Sequence, residues 1–188
     1  RRNHAAGSDR YGFWFDLREH PEGPSATTSI CPTGEKLGEF TDNQAHSCGR
    51  YGLRIFHEHI PRTYPCQPYE DDVANPYIQA EYTNFLGWKN MRDAIIGERL
   101  GAVKFKNIKA ADNKRAGIEI SDGNRSPPDT LLVEDAWIVG KTPDNAGDGS
   151  VYIEGNTRGL ITPKVDYFLA KNVHFYNFGA NMTAIEIG

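Results

Sequence analysis

The sequence predicts an all-β chain folded as a parallel β-helix, a solenoid of stacked coils. Three observations carry that prediction. Ile (14) outnumbers Leu (9) and aromatics are 11% of 188 residues, a bias toward strands. Gly (19), Pro (11) and Asn (13) recur along the chain, which is turn-rich composition. One local pattern also repeats: an Asn-bearing turn, then a Gly or small residue that opens a short alternating strand.

The repeats run in order. Asn3-His4-Ala5 leads to Gly12-Phe13-Trp14-Phe15. Phe40-Thr41-Asp42-Asn43-Gln44-Ala45 leads to Gly52-Leu53-Arg54-Ile55. Phe105-Lys106-Asn107 leads through Asn113 to Gly117-Ile118-Glu119-Ile120. Trp137-Ile138-Val139-Gly140 leads to Ser150-Val151-Tyr152-Ile153, and Phe175-Tyr176-Asn177-Phe178-Gly179 to Ala184-Ile185-Glu186-Ile187. The openings at 12, 52, 117, 150 and 184 are spaced by 40, 65, 33 and 34. Repeats of this length with one alternating strand each indicate a solenoid. Alternation sends Phe13 or Trp14, Leu53, Ile55, Ile118, Ile120, Val151, Ile153, Ile185 and Ile187 inward, and Glu119, Tyr152 and Glu186 outward. Asn suits the turns because it tolerates left-handed backbone, and stacked turns can align Asn side chains into ladders. The residue pattern alone also fits an antiparallel sandwich.

Residues 1–188 read as one β-helix segment with two insertions, about 19–36 and about 57–100. Pro21, Pro24 and Pro32 mark the first; Pro61, Pro65, Pro68 and Pro76 mark the second. Phe85, Trp88 and Arg92 have helical spacing, which predicts a helical turn over 84–96. Insertions this long are usually functional or packed as lids. The chain opens without Met and stops directly after a strand-like run, so it reads as part of something larger. A net charge of −4 argues against a general electrostatic grip on nucleic acid. No apolar run approaches the roughly 18 residues that cross a bilayer.

The segments Asn3-His4-Ala5-Ala6-Gly7-Ser8…Gly12-Phe13-Trp14-Phe15 and Asn43-Gln44-Ala45-His46-Ser47-Cys48-Gly49-Arg50-Tyr51-Gly52 resemble the parallel β-helix region of the fibrocystin-like, G8-domain family. Pro21-Glu22-Gly23-Pro24-Ser25 and Asn113-Lys114-Arg115-Ala116-Gly117-Ile118-Glu119 fit the same resemblance, which is strongest over 3–56 and 101–120. It implies right-handed coils of PbH1 type in the ectodomain of a large cell-surface protein, often anchored by one membrane span. Some relatives are linked to binding or depolymerising hyaluronan, but no catalytic residue of theirs carries over to a position here.

In an extracellular setting disulfides persist. Cys31 and Cys66 each sit beside a proline in an insertion and are expected to pair. Cys48, in a compact turn, is expected to stay reduced and buried; three free thiols are the alternative. His57 and His59, at alternate positions, would share a strand face and could hold a metal with a third ligand such as His46 or His20. The favoured reading is a polar loop root, with no metal and no cofactor. Asp9, Asp16 and Glu19 cluster near the first strand, Glu70, Asp71 and Asp72 form an acidic run, and outward Glu119 and Glu186 share a repeat phase. With Arg54 and Lys104 they are the candidates for a polysaccharide hydrolase or lyase. Repeated outward charge is equally ordinary on a solenoid. Asp144-Asn145-Ala146-Gly147-Asp148-Gly149 lacks the distal Glu of an EF-hand and reads as a turn. Asn124 and Asn181 head glycosylation triplets.

These readings favour an extracellular structural and interaction module over an enzyme. It would present a rigid surface to a glycan or to other surface proteins, with the rest of its own chain stacked at both ends. The alternative is a carbohydrate-active β-helix enzyme.

Overall fold

The computed structural model describes residues 1–67, 72–121, 130–143, 157–165 and 167–188. Among the described residues, fifteen strands fall into six coils. The first coil holds β1 (His4–Ala6) and β2 (Tyr11–Leu17). The second holds β3 (Phe40–Thr41), β4 (Gln44–His46) and β5 (Tyr51–His57). The third holds β6 (Ala80–Thr83), β7 (Leu86–Trp88) and β8 (Asp93–Glu98). The fourth holds β9 (Val103–Lys106), β10 (Lys109–Ala111) and β11 (Ala116–Ser121). β12 (Leu131–Val139) and β13 (Arg158–Thr162) make the fifth; β14 (Phe168–Tyr176) and β15 (Thr183–Ile187) make the sixth. Every pairing between these strands is parallel, and the chain forms a parallel β-helix with a nine-stranded and a six-stranded sheet. The six-stranded sheet runs β15-β13-β11-β8-β5-β2.

The turns show why the coils stack in register. Asp42, Asn84, Asn107, Asp135 and Asn172 all have left-handed backbone, φ between 51° and 57°. Short polar side chains tolerate that region because they bond locally. Here they also bond one another. The Asn84 amide donates to Asp42 at 2.8 Å, Asn107 to Asn84 at 2.7 Å, and Asn172 to Asp135 at 2.7 Å. This corner bends the nine-stranded sheet into two lanes. β12 crosses it unbroken, pairing with β9 before Asp135 and with β10 after it. At a second corner, Asn90 donates to the Asn113 side chain at 2.9 Å and accepts from the Cys48 amide at 3.1 Å. Cys48 therefore occupies an inward rung of the turn ladder and is a free, buried thiol.

The core follows the alternation. Leu53, Ile55, Ile118 and Ile120 are buried. Phe13 and Phe15 pack on the cluster from the first coil, while Trp14 faces outward. Small residues line the tightest corner. Gly12, Gly52, Ala94, Gly117, Gly159 and Ala184 occupy successive strands between paired positions. A methyl on Gly52 would lie 2.7 Å from the Ala94 carbonyl oxygen, and one on Gly12 would lie 2.6 Å from the Ala45 methyl.

Four expectations need correction. The spacing of 65 between openings hides a whole coil: residues 84–96 form β7 and β8, not a helical turn, and the second insertion ends where β6 begins. Left-handed Asn84 and Lys89 break helical backbone, and strand pairing takes the helically spaced residues. The strand beside β11 is β13, opened by Gly159; Ser150, Val151, Tyr152 and Ile153 lie outside the described residues. Ile185 and Ile187 point inward, but they sit on the last strand of the sheet order and are 48% and 84% exposed. Glu119 points outward yet is buried beneath the Arg115 guanidinium.

Both insertions pack against the ends of the strands. Cys31 and Cys66 are joined by a disulfide with Cα atoms 5.2 Å apart. The Ile60 and Arg62 amides donate to the carbonyls of Thr33 and Gly34. The Arg62 guanidinium is fully buried; it donates to Asp72 and to the Asn75 carbonyl, both at 2.7 Å, and lies 3.5 Å from the Tyr77 ring centroid.

Ile120→Ala is expected to cost about 2–5 kcal/mol in a denaturant titration, because the site lies between fixed coils and cannot collapse. Removing the disulfide with Cys31→Ser and Cys66→Ser together is expected to cost about 3–4 kcal/mol by chain entropy. Denaturant midpoints that match the parent would contradict either expectation.

Candidate functional site

The outward face of the six-stranded sheet collects the chemistry. The turn before each of its first four strands ends in arginine: Arg10, Arg50, Arg92 and Arg115. Their backbones form one continuous ladder. The Arg50 amide donates to the Arg10 carbonyl at 2.8 Å, Arg92 to Arg50 at 2.8 Å, and Arg115 to Arg92 at 2.9 Å. Each side chain from the second rung on lies over the residue that follows the previous rung's arginine. Arg50 acts on the Tyr11 phenol and helps to lower it, the Arg92 guanidinium lies 5.1 Å from the Tyr51 ring centroid, and Arg115 bonds Asp93 at 2.8 Å. Tyr11 and Tyr51 stack at 5.8 Å with planes 5° apart, and Trp14, half exposed, tilts against Tyr11 at 5.1 Å.

A second outward column runs Trp14, Arg54, Ile96, Glu119, Ile161, Glu186 by strand register. Arg54, Glu119 and Glu186, three of the outward residues singled out from the sequence, therefore share it. Glu119 and Glu186 are two strands apart, about 10 Å. Lys104 lies on the other sheet, paired with Glu81 at 2.9 Å. Arg54 donates to Tyr11 at 2.8 Å, pairs with Glu98 at 3.1 Å, and lies 4.0 Å from the Phe56 ring centroid. Burial works to raise the Tyr11 phenol, but Arg54 and Arg50 carry it below its ordinary value.

Arg115 explains the buried Glu119. Its guanidinium grips both carboxylate oxygens of Glu119 and one of Asp93. Burial raises the Asp93 carboxyl well above the usual range against the pull of Arg115, with Glu119 adding to the rise. Burial also works to raise Glu119, yet Arg115 holds it below its ordinary value. Asp93 has no exposed surface. Arg115, Glu119 and Asp93 form a closed cluster around one ion pair, not two carboxylates flanking a substrate.

At the opposite end of the same strands a groove of about 440 Å³ is lined by Leu17, Arg18, Glu19, His20, Pro21, Glu22, Thr33, His57, Glu58 and Arg99. It brings His20 and His57 to one cavity but leaves out His59. His57 is exposed at the end of β5. His59 is buried, with Nδ1 3.1 Å from the Tyr82 hydroxyl and Nε2 3.3 Å from the Glu35 carbonyl. The two imidazoles do not share a ligand face, because the strand ends at His57 and the chain turns inward. His46 stacks on Trp88 at 4.2 Å. Among the described residues no group of three or more His, Cys, Asp or Glu is placed to hold a metal.

Asp9 and Glu19 are exposed, Asp16 pairs with Arg18 at 3.3 Å, and Asp72 holds Arg62. Asn181 is exposed in a left-handed turn, φ 64°. Glu70, Asp71, Asn124 and the run Asp144 to Gly149 lie outside the described residues. The arginine ladder itself was legible: Arg10-Tyr11-Gly12, Arg50-Tyr51-Gly52, Arg92-Asp93-Ala94 and Arg115-Ala116-Gly117 share an Arg-x-small signature.

Comparison with known proteins gives the family context. The CEMIP beta-helix family model matches residues 1–53. Fibrocystin-L of Mus musculus is 32% identical over 187 residues, and that of Homo sapiens 33%; each alignment covers 95% of this chain and 4% of the relative. The cell migration-inducing and hyaluronan-binding protein of Mus musculus is 29% identical over 209 residues, covering 95% of this chain and 15% of the relative. The chain thus spans about 4% of the length of its fibrocystin-L relatives.

His59 sets a pH dependence. Its ring has one acceptor nitrogen, which Tyr82 uses, and burial lowers its pKa from 6.5 to about 4. The unfolded imidazole takes a proton near pH 6.5, the folded one only near pH 4. The stability it confers is therefore complete above pH 6.5 and lost as pH falls toward 4, up to about 3 kcal/mol. Urea midpoints at pH 7 and pH 4.5 should fall more steeply for the parent than for His59→Gln; equal falls would contradict this.

Proposed function

The chain is a fibrocystin-like, CEMIP-related β-helix, and from that premise we propose that it is an extracellular interaction module that contacts glycan through the outward face of its six-stranded sheet. The observation that carries this reading is the joint presentation of half-exposed Trp14, of part-buried Tyr11 backed by buried Tyr51, and of arginines on one rigid face. Flat rings match the apolar faces of sugars, and charged donors fix orientation. The printed name of one relative, a hyaluronan-binding protein, supports a glycan ligand. The Cys31–Cys66 bridge supports an oxidising, extracellular compartment. In that compartment exposed Asn181 is the glycosylation acceptor. The half-open apolar ends of the stack, Phe13 and Phe15 at one and Ile185 and Ile187 at the other, are the surfaces on which further coils of the same polypeptide would pack.

The test is binding of the purified, oxidised chain to an immobilised glycan panel. Trp14→Ala, at an exposed position with no core contact, should retain the parent's melting temperature and weaken glycan binding several-fold. A chain that binds no glycan, or a Trp14→Ala variant with undiminished binding, would overturn the proposal.

A further inference from the structure

We propose that the arginine ladder selects a sulfated glycosaminoglycan, carrying more than one anion per disaccharide, over a polysaccharide whose only charge is one carboxylate per disaccharide. This rests on the glycan-contact reading above and names the ligand class for that face.

The ladder fixes cation spacing. Consecutive amide-to-carbonyl bonds join Arg10, Arg50, Arg92 and Arg115, so rungs repeat at the inter-strand distance of about 4.8 Å. Three rungs carry open charge. Arg10, Arg50 and Arg92 form no ion pair among the described residues, whereas Arg115 is bound to Asp93 and Glu119. The Arg92 guanidinium lies over Tyr51. This contact restricts the long side chain and so reduces the ordering cost of binding. A guanidinium held over a ring keeps its edge donors, a planar fork suited to bidentate oxyanion contacts.

A pyranose ring is roughly one rung long. A polysaccharide lying along the solenoid, across the strands, passes about one sugar over each rung. One carboxylate per disaccharide leaves alternate guanidinium groups without a counter-ion. A sulfated chain places an anion at each. Exposed Asp9 directly precedes the first rung in the chain. Arg54 is already matched by Glu98.

The experiment titrates the oxidised full chain with heparan sulfate and hyaluronan oligosaccharides of equal length, and with single-stranded DNA of equal charge, across a salt series. Heparan sulfate should bind at least about tenfold more tightly than either. Its log–log salt slope should be near −2, from three contacts at about 0.7 each as for single-stranded polyanions. Arg10→Gln with Arg50→Gln, both at exposed positions, should leave the melting temperature unchanged, lower heparan sulfate affinity about tenfold or more, and flatten the slope toward −0.7. Lys106→Gln with Lys171→Gln removes the same charge from the other sheet and should leave binding unchanged. Hyaluronan binding as tight as heparan sulfate would overturn the selection while leaving the glycan-contact module standing. DNA binding as tight as heparan sulfate, or equal losses in the two double variants, would reduce the effect to net charge and overturn it as well. Absence of binding to every glycan would remove both this inference and the module.

Discussion

The left-handed turn is the constraint on which the rest of this β-helix depends. Asp42, Asn84, Asn107, Asp135 and Asn172 turn the same corner with nearly the same φ. A residue that turns the chain there must accept a backbone that most L side chains resist. Asn and Asp accept it, and each neighbouring amide–carbonyl or amide–carboxylate pair ties one coil to the next. A coil that slipped by one residue would lose this bond, and its apolar positions would move to the outer face. The corner therefore sets the register for three lanes of strands, and the register aligns the columns on every face. The arginine ladder is one such column.

A second constraint acts where the chain comes back on itself. At the corner between the second and third lanes, Gly12, Gly52 and Gly117 leave no room for a methyl, and Ala5, Ala45 and Ala110 face them from the core side. Small residues in both columns let the lanes close tightly. The insertions join the chain away from this corner, after β2 and after β5, so they lengthen the coil without opening it. The disulfide and the Ile60 and Arg62 amide bonds to Thr33 and Gly34 then fix the inserted segments to one another, and the buried Arg62 side chain braces the second insertion internally.

Much of this was legible in the sequence, and the failures have physical causes. Glycine openings at 12, 52 and 117 and the Ala184 opening fall in one sheet, and the alternating Ile and Leu of the middle coils are buried. The third coil was hidden because Ala94 replaces the marker glycine. The proline-rich stretch before it blurred the start of the coil, and Phe85, Trp88 and Arg92 fell by chance at helical spacing. Burial of Ile185 did not follow from alternation, since a solenoid core residue is covered by the coil on either side and β15 has a described strand on one side only. Outward Glu119 is buried because a neighbour in its own strand's turn, Arg115, folds over it. Alternation gives the direction of a side chain but not what covers it. The groove between strand ends and insertion could not be found by pattern at all, because it joins residues 17–22 to 57, 58 and 99 through loop packing.

The same Arg-x-small motif gives two electrostatic outcomes along one face, and a single residue decides between them. Each arginine from the second rung on reaches the residue after the previous arginine. Where that residue is tyrosine, as at Tyr11 and Tyr51, the guanidinium gains a neutral neighbour and keeps its charge toward solvent. Where it is Asp93, the next guanidinium is drawn over the buried carboxyl and the Glu119 carboxylate neutralises it. Beyond it Arg158 is paired with Glu186 at 2.8 Å. The face is thus cationic over its first three coils and neutralised over the following ones, although arginine recurs in both. Net charge, at −4, conceals this division completely. It emerges only when the register places Asp93 beneath Arg115 and Tyr51 beneath Arg92, so that the backbone ladder, rather than composition, determines where the molecule offers positive charge.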